Sequence, residues 1–354
     1  EGDARTLEPS QDRGVLQGVR ARAARGLRQG SPSREDAAEH EGAAVIAVVN
    51  YGMGNLRSVA KAFEAKYPGI AVRVERTGAE RLFQRIGQEY SSNIHAVDVV
   101  NSSDAAHFIV WKRDGILAPY VTEDVAKFYP AEHKDPDGQF ASFRVFLCPI
   151  AYNTNLVKPN EAPTSIFDLA DPKWKDQVAI ADPRFGSTSF HVAALYAEVG
   201  DERAEEFFRK LKTNGVKIVP GNSVVRDMVA RGEVKVGLTD TDDVNVALED
   251  KQPVAMVFPD RDGMGVPIMP NMVSLVANGP HSEAGKRLID YLLSPEVERM
   301  LAQSEAVQIP LHSGVEGPKN IPPLSSFKPM TLDYSKAADR VEDVTKRLQP
   351  ILGL

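Results

Sequence analysis

Short apolar runs and amphipathic segments alternate along most of the chain. The β-branched run at 45–49 predicts a buried strand, and the apolar residues within 56–63 recur on one face of a helix. The same order follows, with a strand predicted at 70–76, a helix at 79–90 and a strand at 96–102. Strands that alternate with helices indicate βαβ units, and the pattern therefore predicts an α/β fold with largely parallel sheets.

Three later segments each consist of a strand, a short polar turn and a helix. In an open α/β sheet, ligands bind beyond the carboxyl ends of the strands, where helix N-termini present free N–H groups and a positive dipole. We therefore expect the three turns to gather around one cleft, although helix capping alone, worth about 1 kcal/mol, could also explain their polar residues. The turns carry, in chain order, Gly186, Ser187 and Thr188, then Asn222, then Asp240, Asp242 and Asp243.

Composition restricts the class of partner. The length of 354 residues suits two domains or one two-lobed domain. The net charge of −7 argues against a nucleic acid as the main partner, because phosphate binding needs clustered Lys and Arg. No apolar stretch approaches the ~20 residues that span a bilayer, and the single cysteine permits no internal disulfide. Residues 1–42 are polar and rich in arginine, which predicts a disordered tail.

The first turn, within NYGMGNLRSVAKAFE, admits two enzymatic interpretations. A dinucleotide-binding turn needs three glycines, but Arg57 stands where a third would follow Gly52 and Gly54. The same stretch resembles the start of class I glutamine amidotransferases, in particular the glutaminase subunit of imidazole glycerol phosphate synthase. Such an enzyme needs a nucleophile at a glycine-flanked elbow, whereas Cys148 lies in an apolar run without flanking glycines. A glutaminase is the alternative function.

Three longer stretches are AYNTNLVKPNEAPTSIFDLADPKWKDQVAIADP, GNSVVRDMVARGEVKVGL and LIDYLLSPEVERMLAQSEAVQIPL. Together they resemble the periplasmic solute-binding proteins of ABC transporters, specifically the type II group that includes the ferric-iron-binding proteins, over residues 45 to 311. The resemblance implies an α/β, two-lobed periplasmic-binding-protein-like fold with mixed sheets flanked by helices and a hinge between the lobes. It assigns 43–145 and 255–310 to lobe 1, 146–254 to lobe 2, and 311–354 to a C-terminal loop and helix that pack on the lobes.

By this resemblance the protein is a receptor of an ABC importer and not an enzyme. Its lobes would close over a small anionic solute, a phosphonate-like or zwitterionic organic solute, or an iron(III)–anion complex. No cofactor is required, although iron(III) or another hard cation with a synergistic anion could be the ligand. The partner would be an ABC permease in the membrane, and the receptor itself a periplasmic monomer. The chain begins at Glu1 without a signal h-region, so it is either a processed or truncated form or not exported.

The resemblance also implies ligand contacts from both lobes. Four residues of lobe 2 match positions that hold an anion in the family, namely Gly186, Ser187, Thr188 and Asn222. Five residues of lobe 1 are implied as further contacts, namely Asn50, Tyr51, Gly78, Ser103 and Asp104.

The segment LTDTDDV departs from the ferric-iron-binding proteins. Those relatives carry adjacent tyrosines where Asp242 and Asp243 stand, an asparagine where Asp240 stands, and a first-loop histidine that this chain lacks. Three carboxylates in four positions repel one another and have raised pKa values unless a positive group lies among them. That group could be a hard metal ion bound by Asp242 and Asp243, an amine of an organic solute, or the N-terminus of the helix itself.

Overall fold

The computed structural model describes residues 44–51, 56–77, 79–330 and 334–354. The predicted tail at 1–42 and Gly78 lie outside this part of the chain. Its strands are β1 Ala44–Tyr51, β2 Ile70–Arg76, β3 Val99–Ser102, β4 Leu117–Ala118, β5 Ala141–Leu147, β6 Ile150–Asn153, β7 Val178–Ala181, β8 Lys217–Val219, β9 Val236–Leu238, β10 Val254–Val257 and β11 Ile268–Val276. Its α-helices are α1 Leu56–Lys66, α2 Ala79–Ser91, α3 Ala105–Arg113, α4 Glu123–Phe128, α5 Gly186–Val199, α6 Asp201–Thr213, α7 Asn222–Ala230, α8 Thr241–Glu249, α9 Ser282–Leu292, α10 Pro295–Ala302 and α11 Tyr334–Leu352. Among these described residues, every helix is too short or too polar to cross a bilayer.

The first sheet has the strand order β2-β1-β3-β11-β4, and β5 also pairs with β11. β1 runs parallel to β2 and β3, whereas β11 runs antiparallel to β3, β4 and β5. Ile46 and Val48 of β1 share a hydrophobic core with Val59 and Phe63 of α1, as the alternating pattern predicts. We call this sheet and the helices packed on it lobe 1.

The second sheet has the order β10-β6-β9-β7-β8, and with its helices it forms lobe 2. β7 runs parallel to β8 and β9, while β6 runs antiparallel to β9 and β10. The helices α5, α7 and α8 begin just beyond the carboxyl ends of β7, β8 and β9. Both sheets are mixed, as the resemblance implies, so the prediction of largely parallel sheets holds only within the βαβ units.

The chain crosses between the two sheets twice. The apolar run at 140–154 divides at Cys148 and Pro149 into β5 of lobe 1 and β6 of lobe 2. Proline has no backbone N–H to donate to a ladder, which favours a strand boundary at this position. The chain returns between β10 of lobe 2 and β11 of lobe 1. A pair of crossings of this kind can act as the hinge between two lobes.

The C-terminal helix α11 packs against both lobes. Its buried residues Val344, Leu348 and Leu352 lie in the core of lobe 2. Nearer its N-terminus, Ala337 lies in a hydrophobic cluster with Trp111 of α3 in lobe 1. The segment predicted as an amphipathic helix therefore spans the two lobes.

Candidate ligand-binding site

A cavity of about 140 Å³ lies between lobe 1 and lobe 2. Much of its lining comes from the carboxyl ends of parallel strands and from the turns that follow them, as expected for an open α/β sheet. All three polar turns of lobe 2 contribute to this lining, so they do gather around one cleft as predicted. The lining residues are Arg76, Ser103, Phe146 and Asn271 of lobe 1, Ser187, Asn222, Ser223, Asp240, Asp242 and Asp243 of lobe 2, and Gln308, which follows α10.

The three turns of lobe 2 meet at Asp240. The Ser187 hydroxyl donates a hydrogen bond to Oδ2 of Asp240 at 2.8 Å. The Asn222 amide donates to the same oxygen at 2.7 Å and to Oγ of Ser187 at 3.0 Å. Cys148, at the crossing between the lobes, donates from Sγ to Oδ1 of Asp240 at 3.4 Å. Ser187 and Asn222 therefore support a carboxylate in this structure, and their role in anion binding stays a prediction.

Helix capping does not explain Asp240. The residue occupies the N-cap position of α8, but its side chain makes no capping hydrogen bond. Burial raises the pKa of Asp240 to about 6, although hydrogen bonds from Ser187, Cys148 and Asn222 act to lower it. This carboxyl group therefore changes its charge close to neutral pH.

Asp242 and Asp243 lie in the first turn of α8, line the cavity and are buried. Oδ2 of Asp242 accepts no hydrogen bond from the described residues. Burial, followed by the charges of Asp243 and Asp240, raises the pKa of Asp242 well above its usual value, and burial together with Asp240 raises the pKa of Asp243 to about 7. One oxygen from each of the three carboxylates lies within 4.8 Å of the others, close enough to surround one small cation.

Two arginines offset part of this negative charge. Arg226 of α7 places Nη1 3.5 Å from Oδ1 of Asp243. Arg144 of β5 is buried. When the Asn271 side-chain amide is turned so that its oxygen faces Arg144, Oδ1 accepts hydrogen bonds from Nε and Nη2 of Arg144 at 3.2 and 2.9 Å. Burial lowers the pKa of Arg144 to about 10, with the Asp242 charge acting against this shift, so the guanidinium stays protonated at neutral pH. The cluster therefore combines three carboxylates with two guanidinium groups.

Of the lobe 1 residues predicted to contact the ligand, some line the cavity and others do not. Ser103 follows β3 and lines the cavity. Asp104 lies outside the lining, and its carboxylate caps α3 by accepting a hydrogen bond from N of Ala106 at 3.1 Å. Asn50 and Tyr51 end β1, where their backbone pairs with β3. The other carboxylate oxygen of Asp104, Oδ2, lies 3.6 Å from Nε2 of His107. Of Ser103 and Asp104, Ser103 is therefore the one that lines the cavity.

Ser187 differs from its two neighbours in the first turn of lobe 2. Gly186 begins α5 with a φ of 64°, a left-handed conformation that favours glycine. Thr188 is buried beside His191 in the apolar interior of lobe 2. Ser187 is therefore the residue of this turn that lines the cavity.

Several lining residues are absent from the sequence-based prediction. Arg76 ends β2, and the rule that ligands bind beyond the carboxyl ends of strands could have identified it. Phe146 and Asn271 lie within β5 and β11, where no local motif marks them, since their approach to the cavity depends on the pairing of distant strands. The unpredicted lining residues are Arg76, Phe146, Ser223, Asn271 and Gln308.

The glutaminase alternative has no structural support at Cys148. The side chain is buried, and burial together with the Asp240 charge raises the pKa of the thiol well above its usual value. A nucleophilic cysteine is instead a partly exposed thiolate in electropositive surroundings. The glycine turn at 52–55, from which the glutaminase hypothesis arose, lies outside the described residues.

Comparison with known proteins identifies a family, and it finds relatives that are named for different ligands. Residues 97–338 match the family described as bacterial extracellular solute-binding protein. Iron uptake protein A1 of Synechocystis sp. is 28% identical over 287 residues, which cover 78% of this chain and 79% of that protein. A periplasmic protein of Salmonella typhimurium named for 2-aminoethylphosphonate binding is 25% identical over 243 residues, which cover 67% of this chain and 69% of that protein.

Among solved structures, iron-bound HitA from Pseudomonas aeruginosa matches with a TM-score of 0.78 at 22% sequence identity, covering 88% of this chain and 100% of that chain. This similarity confirms the two-lobed type II fold. The family match confirms the predicted function as a solute-binding receptor of an ABC importer, and no comparison supports the glutaminase alternative. Since the match at 97–338 covers more than half of the 354 residues, the chain belongs to the family of bacterial extracellular solute-binding proteins.

Proposed function

We propose that this receptor binds a small solute through a positively charged centre, which Asp242 and Asp243 hold in the cavity between the lobes. The observation that carries the proposal is the Asp242 carboxylate, which lines the cavity, is 1% exposed and has an Oδ2 atom without a hydrogen-bond donor among the described residues. Leaving a buried polar group without a partner costs roughly 1–3 kcal/mol, and more for a charged group. A cationic ligand supplies that partner.

Iron(III) with a synergistic anion is the second candidate for the ligand. The name of the Synechocystis relative and the iron bound to HitA favour it. Carboxylate oxygens are suitable ligands for a hard cation, and the three aspartates offer one oxygen each within 4.8 Å. Because the segment LTDTDDV contains no tyrosine, iron bound here would be held by carboxylates rather than by phenolates.

Solute capture by this chain serves an ABC permease in the proposed function. The family consists of extracellular binding proteins rather than enzymes, and a relative from Salmonella typhimurium is named as periplasmic. We therefore assign the receptor to the periplasm, as a monomer that catalyses no reaction and needs no cofactor besides its ligand. Binding favours the closed lobes to the extent that the solute binds the closed form more tightly than the open form.

Isothermal titration calorimetry on protein stripped of ligand by unfolding and refolding tests the proposal. The probes are ethylamine, 2-aminoethylphosphonate, Mn²⁺ and iron(III) citrate, with glucose and inorganic phosphate as solutes that lack a cationic centre. We expect at least one of the first four to bind, and we expect Asp242→Asn to weaken that binding roughly tenfold or more, the effect of losing a charged partner.

The matched control is Asp104→Asn. Asparagine caps a helix about as well as aspartate, and this position lies outside the cavity lining. The control variant should therefore bind as the wild type does. The proposal is wrong if only glucose or phosphate binds, or if Asp242→Asn binds the cationic probes as tightly as the wild type.

A further inference from the structure

We propose that the solute is bipolar, with an ammonium group at Asp242 and Asp243 of lobe 2 and a phosphonate, phosphate or carboxylate group at Arg76 of lobe 1. This inference rests on the proposed function. It narrows the substrate class to small molecules that carry both an amino group and a phosphonate, phosphate or carboxylate group. The two lobes present opposite charges to one cavity, three carboxylates from lobe 2 and the Arg76 guanidinium from lobe 1.

Arg76 is available to a ligand. It is the last residue of β2, its side chain is exposed, and it is the positively charged residue of the lining. It forms no hydrogen bond or ion pair with another described residue, whereas Arg226 already pairs with Asp243 and Arg144 with Asn271. A guanidinium offers planar N–H donors that match a carboxylate or phosphonate with two parallel hydrogen bonds.

Arg76 and Asp242 line the same cavity without pairing with each other. A purely cationic solute would satisfy Asp242 and leave Arg76 without a partner, and a purely anionic solute would do the reverse. A solute with a positive and a negative end satisfies both groups at once. Ser103, which lines the cavity from the same lobe as Arg76, adds a hydroxyl donor for the acidic end.

The charge of the cluster favours an ammonium group over a multivalent metal ion. When all three carboxylates are ionised, the guanidinium groups of Arg144 and Arg226 leave the cluster with one net negative charge. A single ammonium group balances that charge, whereas a trivalent ion does so only together with an additional anion. Arg226, whose Nη1 lies 3.5 Å from Asp243, would also repel a multivalent metal ion at that carboxylate more strongly than it repels a monovalent ammonium group.

Calorimetry with four related probes tests this inference. 2-Aminoethylphosphonate and 3-aminopropylphosphonate carry both charged ends, ethylamine carries only the amine, and ethylphosphonate only the acid. The wild type should bind one of the bipolar probes at least tenfold more tightly than either single-ended probe. Arg76→Gln should weaken that binding roughly ten- to a hundredfold, as expected for loss of a charge-assisted hydrogen bond, and leave ethylamine binding unchanged.

The matched control is Arg73→Gln, which removes an exposed arginine from the same strand at a position outside the lining. It should bind all probes as the wild type does, and thermal melting should show that both arginine variants fold. If Asp242→Asn weakens binding of the bipolar probe but Arg76→Gln does not, the bipolar inference is wrong and the proposed function stands. If no amine-bearing probe binds and Mn²⁺ or iron(III) citrate binds in an Asp242-dependent way, the bipolar inference is likewise wrong. If binding of every probe is independent of Asp242, both proposals are wrong.

Discussion

The Asp242 carboxylate, which we propose binds the solute, lowers the stability of the ligand-free protein. Its carboxylate is buried beside Asp240 and Asp243, and their charges raise its pKa in addition to burial. Asn has nearly the same shape and no charge, so Asp242→Asn removes the repulsion within the cluster. We expect the free energy of unfolding of the ligand-free protein at pH 8 to rise by about 1 kcal/mol or more, since one pKa unit corresponds to about 1.4 kcal/mol. Urea unfolding followed by circular dichroism measures this change.

The control for this measurement is again Asp104→Asn, which should leave the free energy of unfolding close to that of the wild type. Lower stability of Asp242→Asn at pH 8 would show that the charge at this position contributes to the folded state. That result would contradict the proposal that the three aspartates destabilise the empty protein and bind a cationic ligand.

Cys148 distinguishes solute binding from glutaminase chemistry. Its thiol is a weak donor to Asp240 at 3.4 Å, and a serine hydroxyl at the same place can donate to the same oxygen. We expect Cys148→Ser to keep a solute affinity close to that of the wild type, and we expect neither protein to release ammonia from glutamine. Ammonia release by the wild type that Cys148→Ser abolishes would restore the glutaminase hypothesis.

The side chains that sequence alone could identify are those in the turns between strands and helices. Ser187, Asn222 and Asp242 each lie within a few residues of a strand end and a helix start, so a local rule places them at the same edge of the sheet. Asn271 lies in the middle of β11, and its contact with Arg144 of β5 depends on pairing across more than a hundred residues. No local pattern encodes such a contact.

The elements themselves were predictable where their periodicity is strong. The helix α11 follows from apolar residues at Val344, Leu348 and Leu352, which share one face, and these residues do lie in the core of lobe 2. The apolar run at 140–154 does form strands along most of its length, but a uniform run does not reveal where it divides or which sheet each half joins. That choice depends on the partners of β5 and β6, which are β11 for the first and β9 and β10 for the second.

The contribution of α11 to lobe 2 can be measured by truncating one buried side chain. Leu348 is 1% exposed, and replacing a core leucine by alanine costs about 2–5 kcal/mol. We expect Leu348→Ala to lower the free energy of unfolding by that amount in urea titrations. Lys346→Ala is the control on the same helix, since Lys346 is exposed and pairs only with Glu342 among the described residues, and it should change stability little. Equal effects of the two substitutions would contradict the packing role of α11.

At the scale of the whole molecule, α11 and the cavity both connect the lobes. Asp339 accepts from Nη1 of Arg113 in lobe 1 at 2.6 Å, while Arg340 pairs with Asp201 in lobe 2. The first pair is exposed and the second is only partly buried, and ion pairs in such settings contribute little by themselves. The proposed bipolar solute, by contrast, contacts buried carboxylates of lobe 2 and Arg76 of lobe 1, so it can shift the equilibrium between open and closed forms more strongly.

The carboxylates of the cavity also couple pH to the stability of the empty receptor. Burial and the Asp240 charge raise the pKa of Asp243 to about 7 in the folded protein, against about 3.9 for aspartate in an unfolded chain. The folded state therefore holds this proton more tightly than the unfolded state does. The resulting stabilisation is complete below a pH of about 4 and is lost as the pH rises through about 7. Asp240, whose pKa burial raises to about 6, acts in the same direction.

We therefore expect opposite pH trends for stability without solute and for affinity. Carboxylates with a lowered pKa make the free energy of unfolding rise with pH instead. Glu296 is an example, since a hydrogen bond from Lys66 lowers its pKa. The informative quantity is therefore the difference in the free energy of unfolding between the wild type and Asp243→Asn. In urea unfolding, the free energy of unfolding of the wild type should fall relative to that of Asp243→Asn as the pH rises from about 4.5 to about 8. The reason is that the variant has no carboxyl group to ionise at this position. The calorimetric affinity of the wild type for an amine-bearing probe should rise over the same range, since an ammonium group needs an ionised carboxylate. A difference that does not change with pH would show that the pKa of Asp243 is not raised, and a falling affinity would show that a protonated carboxyl group donates to the solute.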